Sequence, residues 1–230
     1  MTSSSEVSSE VARPGRELVL ELADDALVAS HRLSEWLAKA PTIEEDVALA
    51  NIALDLLGQA RLLYALVGDE DELAYRRPAA EFRNAVLLER ANGDFGATVA
   101  RLLLLAAHQL ARYTDLATSA EGDLAAIAAK AVKEVAYHRD HARAWVVRLG
   151  DGTEESHRRM QAGLDAEWAF FGGLSPAPAA LAWVEAVLAE ATLTVPGPVV
   201  AVPRGQHTED LDELLATMRE VSAAHPGATW

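Results

Sequence analysis

Two stretches of the chain hold side chains whose type and spacing suit chemistry. Between residues 47 and 60 (VALANIALDLLGQA) the only polar side chains are Asn51, Asp55 and Gln59. At i, i+4 and i+8 these share one face of a helix whose remaining surface is apolar all round. Such a helix belongs in the middle of a core, where a carboxylate must be paired, hydrogen-bonded or bound to metal. Asp55 is therefore expected inside, either in a polar ladder between helices or as a metal or catalytic group. Partial exposure is the remaining reading. The second stretch carries Lys130, Lys133, Glu134, Tyr137, His138 and His141. Glu134 to His138 is i, i+4 and His138 to His141 is i, i+3, so ligand-capable groups crowd one side.

Carboxylate-bridged di-iron centres in four-helix bundles take a Glu from each of two helices and a Glu-x-x-His pair from each of the other two. Here that register fails. Glu134 is followed three residues on by Tyr137, Val135 stands three before His138, and Asp55 is followed at i+3 by Gly58. Taken alone, His138 reads as a hydrogen-bonded core histidine. The alternative is a di-iron oxidase with an unorthodox ligand set drawn from Asp55, Glu134, His138 and His141. A third cluster is basic: Arg76, Arg77 and Arg83, with Asn84 beside them, on an acidic chain. It reads either as a solvated loop of weak surface ion pairs or as an anion-capturing site, since arginine suits phosphate.

These groups need elements to hold them. Residues 1–15 (MTSSSEVSSEVARPG) read as a disordered tail. Helical periodicity runs over 17–40 and Pro41 stops it. Thr42 and Glu45 match a capping box opening a second helix to about residue 67. After the break at residues 68–71 come a short helical turn and a loop around Arg76-Arg77-Pro78. Asn92-Gly93-Asp94 is a turn and cap for a third long helix to about residue 117. A fourth covers 123–149, ended by Gly150-Asp151-Gly152, and a fifth 154–171. Residues 179–191 form a sixth, 194–205 an irregular Pro-rich connection, and 209–224 a last short helix. Only 199–202 is ambiguous with a strand. The expectation is one all-α domain over 16–230, built on four long helices with additional short ones. The five tryptophans are core or interface material, and Trp230 suggests a docked C-terminus.

Composition narrows the function classes. Lys and Arg number 20 against 35 Asp and Glu, a formal charge of −15. A nucleic acid would meet a repulsive field. The absence of cysteine excludes disulfides, thiolate metal sites and cysteine nucleophiles. The longest uncharged run, 168–184, is broken by Gly172-Gly173, Pro176 and Pro178, so it cannot span a bilayer as a helix. With no apolar signal segment in the tail, the expectation is a soluble cytoplasmic protein without membrane or nucleic-acid partners.

Several motifs then converge on one family. Residues 35–61 (EWLAKAPTIEEDVALANIALDLLGQAR) resemble the C subunit of the bacterial phenylacetyl-CoA epoxidases, and LDLLGQAR at 54–61 is the most specific part. Asn92-Gly93-Asp94-Phe95, KAVKE at 130–134 with Tyr137-His138, RLGDGT at 148–153, GQHTE at 205–209 and Pro226-Gly227 with Trp230 match as well. The resemblance covers 17–230. It implies a ferritin-like four-helix bundle serving as the non-catalytic partner of a homologous di-iron catalytic subunit, in a monooxygenase that epoxidises the ring of phenylacetyl-CoA during phenylacetate catabolism. A reductase carrying FAD and an iron–sulfur cluster would supply electrons. Carried across, the catalytic paralogue's first-helix carboxylate falls on Ala26, its first Glu-x-x-His on Asp55 and Gly58, its third-helix carboxylate near Ala106, and its second Glu-x-x-His on Val135 and His138. Asp55 and His138 are thus vestigial ligand positions, and no catalytic group, metal or cofactor is expected in this chain. The segment Glu81-Phe82-Arg83-Asn84 is expected at the coenzyme A end of a substrate held mainly by the partner. Trp168, Phe170, Phe171 and Trp183 either finish this chain's own core or form the docking surface, through which the isolated chain would also form a homodimer.

Overall fold

The computed structural model describes residues 13–225, and all its regular structure is helical. The helices are α1 (Arg13–Ser34), α2 (Ile43–Ala65), the single turn α3 (Val86–Glu89), α4 (Phe95–Ser119), α5 (Gly122–Gly150), α6 (Glu154–Trp168), α7 (Pro178–Glu190) and α8 (Glu209–Ala224). Several breaks are marked by a capping side chain or a left-handed residue. After α1 the chain turns through Ala38, at φ 62°, into Pro41, so α1 ends earlier than its periodicity suggests. The Thr42 hydroxyl accepts the Glu45 amide, and Asp94 likewise caps α4 through the Ala97 amide. Of the tail read as disordered, 1–12 lies outside the described residues, whereas 13–15 already belongs to α1. The Trp230 reading also lies outside them.

The four long helices form two antiparallel hairpins, α1 with α2 and α4 with α5, closed along an α2–α5 seam. The helix at the centre is not the one expected. Every residue of α4 from Gly96 to Gln109 is buried, because α5, α6, α7 and the 3₁₀ turn Phe171–Leu174 all pack on it. By contrast α2 packs mainly against α1 and α5, with the 70–77 segment at its C-terminal end. Its outer face stays open although the sequence is apolar all round. The α4–α6 crossing is close: a Cβ on Gly163 would stand 2.6 Å from the Ala97 nitrogen.

The expected irregular connection, between α7 and α8, is a strap tied down by side chains. Gln161 bonds both the carbonyl and the amide of Thr194, and Trp168 Nε1 donates to Gly197 O at 3.0 Å. Farther along, Arg204 holds Asp25 in a two-pronged pair at 3.0 and 2.8 Å. His207 faces the Glu89 carboxylate at 2.7 Å and the Phe82 carbonyl at 3.0 Å. Two acceptors around one imidazole require both nitrogens to donate. Burial opposes that charge, yet the Glu89 carboxylate and the Phe82 carbonyl outweigh it and raise the His207 pKa.

Candidate functional site

The residues singled out on α2 and α5 do meet, at the seam between the two helices. His138 is buried and its Nε2 lies 3.0 Å from Asp55 Oδ2. Burial, opposed by the Asp55 and Glu134 carboxylates, lowers the His138 pKa, so the ring is neutral at pH 7 and donates its one N–H to Asp55. Its buried Nδ1 then has no partner. Asp55 is not the interior carboxylate expected: its side chain is 40% exposed. The reason is the open outer face of α2, which puts the Asn51–Asp55–Gln59 ladder at the rim of the bundle. One turn away, Gln59 donates to Glu134 at 3.0 Å, and Lys130 pairs with the same carboxylate at 3.3 Å. His141 meets Glu45 at 3.1 Å. That contact leaves the Thr42–Glu45 capping box half made, whereas Thr153 and Ser156 form a complete one at the start of α6.

This donor set does not fit a di-iron centre. Asp55, Glu134, His138 and His141 are divided into separate pairs, and among the described residues no group of three His, Asp or Glu could hold one ion. Ala26, Ala106 and Val135, onto which the resemblance carries ligand positions, are fully buried and offer only hydrocarbon. Gly58 faces open space. Two divalent ions here would lack the negative ligands that make such a site bind.

The 81–84 segment is divided as well. Phe82 and Asn84 are fully buried. Phe82 lies under the Arg77 guanidinium at 4.3 Å, and Asn84 donates to Glu89 at 2.9 Å. Neither has surface to offer a ligand. Arg83 reaches the rim, its guanidinium bonding the Ala80 and Phe82 carbonyls. With Arg16, Arg76, Glu72 and Glu81 it borders a shallow depression of about 560 Å³. Arg77, counted in the basic cluster, is instead an interior residue paired with Asp24.

Sequence reasoning missed the two adjacent acids of α1. Asp24 is fully buried and accepts from Arg77, Tyr64 and the Arg83 amide. Burial raises its pKa against those donors. Asp25 takes Arg204 and the Ala85 amide. The available signal was an Asp-Asp pair inside the apolar run LVLELADDALVAS at 18–30, since buried acids imply buried cations. Near them a cavity of about 430 Å³ is bordered by His108, Arg112, Glu21 and Arg204. The aromatics expected to dock a partner complete this chain's own packing. Trp168 and Phe171 are buried, Phe170 lies beneath Arg90 at 4.2 Å, and Trp183 beneath Arg139 at 4.7 Å.

The helical order and the way the long helices pack together define a ferritin-like helical bundle. The sequence pattern of the phenylacetic acid catabolic protein family matches residues 1–182, and the chain belongs to that family. It is also 41% identical over 240 aligned positions to the C subunit of the 1,2-phenylacetyl-CoA epoxidase of Escherichia coli strain K12, across 92% of this chain and 97% of that protein.

Proposed function

We propose that this chain is the non-catalytic subunit of a phenylacetyl-CoA epoxidase, working in the cytoplasm beside a homologous di-iron protein that carries the chemistry. The observation that supports it is the substitution of the ligand positions. Ala26, Gly58, Ala106 and Val135 supply no donor, and Asp55 and His138 are spent on each other. The likeness to the C subunit of an epoxidase supports the substrate class. The di-iron centre resides in the catalytic partner, and FAD and the iron–sulfur cluster in a reductase. Purified aerobically, the chain should contain well under one iron. Co-expression with the catalytic relative should give a co-eluting complex that epoxidises phenylacetyl-CoA. About two irons per chain, or a catalytic relative fully active alone that never co-elutes, would sink this reading.

Within it, the rim of the arginine loop is the part of this chain suited to coenzyme A, which is polyanionic. Arg83→Ala should raise the complex's KM for phenylacetyl-CoA several-fold and leave kcat and co-elution intact. An unchanged KM removes the loop from the substrate's path.

A further inference from the structure

On the side of the bundle opposite the α2–α5 seam, α1 and α4 stand farther apart than the helices of either hairpin. The gap holds the cavity of about 430 Å³, walled by Glu21 and Leu22 of α1, by Leu174 at the end of the 3₁₀ turn, and by Arg204 of the strap. Helix α4 contributes His108, Ala111, Arg112 and Asp115. At i, i+3, i+4 and i+7 these lie on one face. Two of them are polar groups that nothing inside the chain engages. His108 is 8% exposed, and its ring makes no hydrogen bond among the described residues. A polar group buried in that state costs free energy until a partner arrives. Arg112 is half-buried and makes neither a hydrogen bond nor an ion pair among the described residues, so its guanidinium donors are all open.

The charges around the cavity select an anion of low valence. Arg204 is already taken by Asp25 at 2.8 Å, and Glu21 lies 4.0 Å from the same guanidinium. Arg112 is left without a carboxylate of its own. Burial raises the Glu21 pKa, which weakens the repulsion between that acid and a neighbouring anion. A carboxylate matches the planar fork of an arginine, and the neutral His108 ring, one turn away, has one N–H to donate. A polyanion fits less well, because Glu21 and Asp115 border the same space and the chain carries a net −15. The walls beyond the charged end are apolar. Ala111, Asp115 and Ala177 also border an adjoining depression of about 600 Å³, together with Ala107, Leu110 and Trp183. Hydrocarbon and an indole beside a few polar groups suit a ligand with an aromatic or aliphatic body.

We propose that the cavity between α1 and α4 binds a small organic monocarboxylate, its carboxylate held by Arg112 and His108 and its apolar body lying toward Ala111, Ala177 and Trp183. This site stands independently of the functional reading above. Benzoate, an aromatic monocarboxylate, is the probe. Calorimetric titration of the full chain at neutral pH should show saturable binding with a dissociation constant on the order of a millimolar. The His108 ring resonance, assigned by its loss in His108→Gln, should shift along the same isotherm. Acetate, which keeps the carboxylate and lacks the body, should bind about tenfold or more weakly, and inorganic phosphate no more tightly than acetate. Arg112→Gln should raise the benzoate dissociation constant about tenfold or more. Its helical content by circular dichroism should be unchanged, because Arg112 has no internal bond to lose. Ala111→Phe should block benzoate by filling the space while leaving both arginines in place. A His108 resonance that does not respond, or a benzoate affinity indifferent to either variant, overturns the proposal. So does phosphate binding more tightly than benzoate, because the cavity then selects charge and not a carboxylate with an apolar body.

Discussion

His108 lies on α4 with 8% of its surface exposed, and among the described residues its ring has no hydrogen-bond partner. Burial lowers its pKa to about 4, against the pull of Asp25 and with the help of Arg204 and Arg112. Glu21, its pKa raised mainly by burial, borders the same cavity. In the unfolded chain the ring takes up a proton as pH falls through about 6.5, whereas in the fold it stays neutral until about pH 4. Its contribution is therefore complete above about pH 6.5 and is lost progressively down to about pH 4, on the order of 3 kcal/mol in all. Urea unfolding from pH 7 to 4.5 should show a steeper loss in wild type than in His108→Gln. Equal slopes would mean that other groups carry the acid sensitivity. His138 shows how far such a residue could be read in advance. That it is a hydrogen-bonded core histidine was readable from the sequence, but its partner Asp55 and the exposure of that carboxylate were not, because both depend on which helices lie beside α2.

Among the elements, two glycines separate packing inside the chain from packing outside it. Gly58 faces empty space, so Gly58→Ala should stabilise the dilute monomer by up to about 1 kcal/mol through helix propensity. Gly163→Ala would drive a methyl into the Ala97 backbone and should cost about 1–3 kcal/mol. Denaturant titration of both variants checks the contrast, and a destabilised Gly58→Ala would mean that the outer face of α2 is covered from within. The helices themselves were legible because their stops are local: Pro41, the Gly68 break, the Asn92–Asp94 turn and Gly150 all act where they stand in the sequence. What periodicity could not supply was rank. Both α2 and α4 are apolar on nearly every side, and α4 became the buried centre only because α6 and α7 fold back over it. The same limit applies to Phe82 and Asn84, whose types suit a binding loop but whose places are set by Arg77 and Glu89.

For the whole molecule, the epoxidase reading requires a second protein, and mass measurements of the chain alone and with its relative test it. The sequence holds no cysteine, and the structure adds that the buried carboxylates Asp24, Asp25 and Glu167 serve intramolecular ion pairs. Those pairs are unequal in reach. Asp24 finds Arg77 53 residues away, whereas Asp25 waits for Arg204, 179 residues downstream, and Arg32 for the Asp210 carbonyl at 178. Closing loops of that length adds little to the equilibrium penalty, since the entropy grows only with the logarithm of length, but contacts so distant in sequence slow folding. During synthesis, which proceeds from the N-terminus, Asp25 leaves the ribosome with its counter-ion still unmade. It stays uncompensated until the strap beyond α7 has been translated. Of the long helices, α1 is the first to be made and the last to be completed.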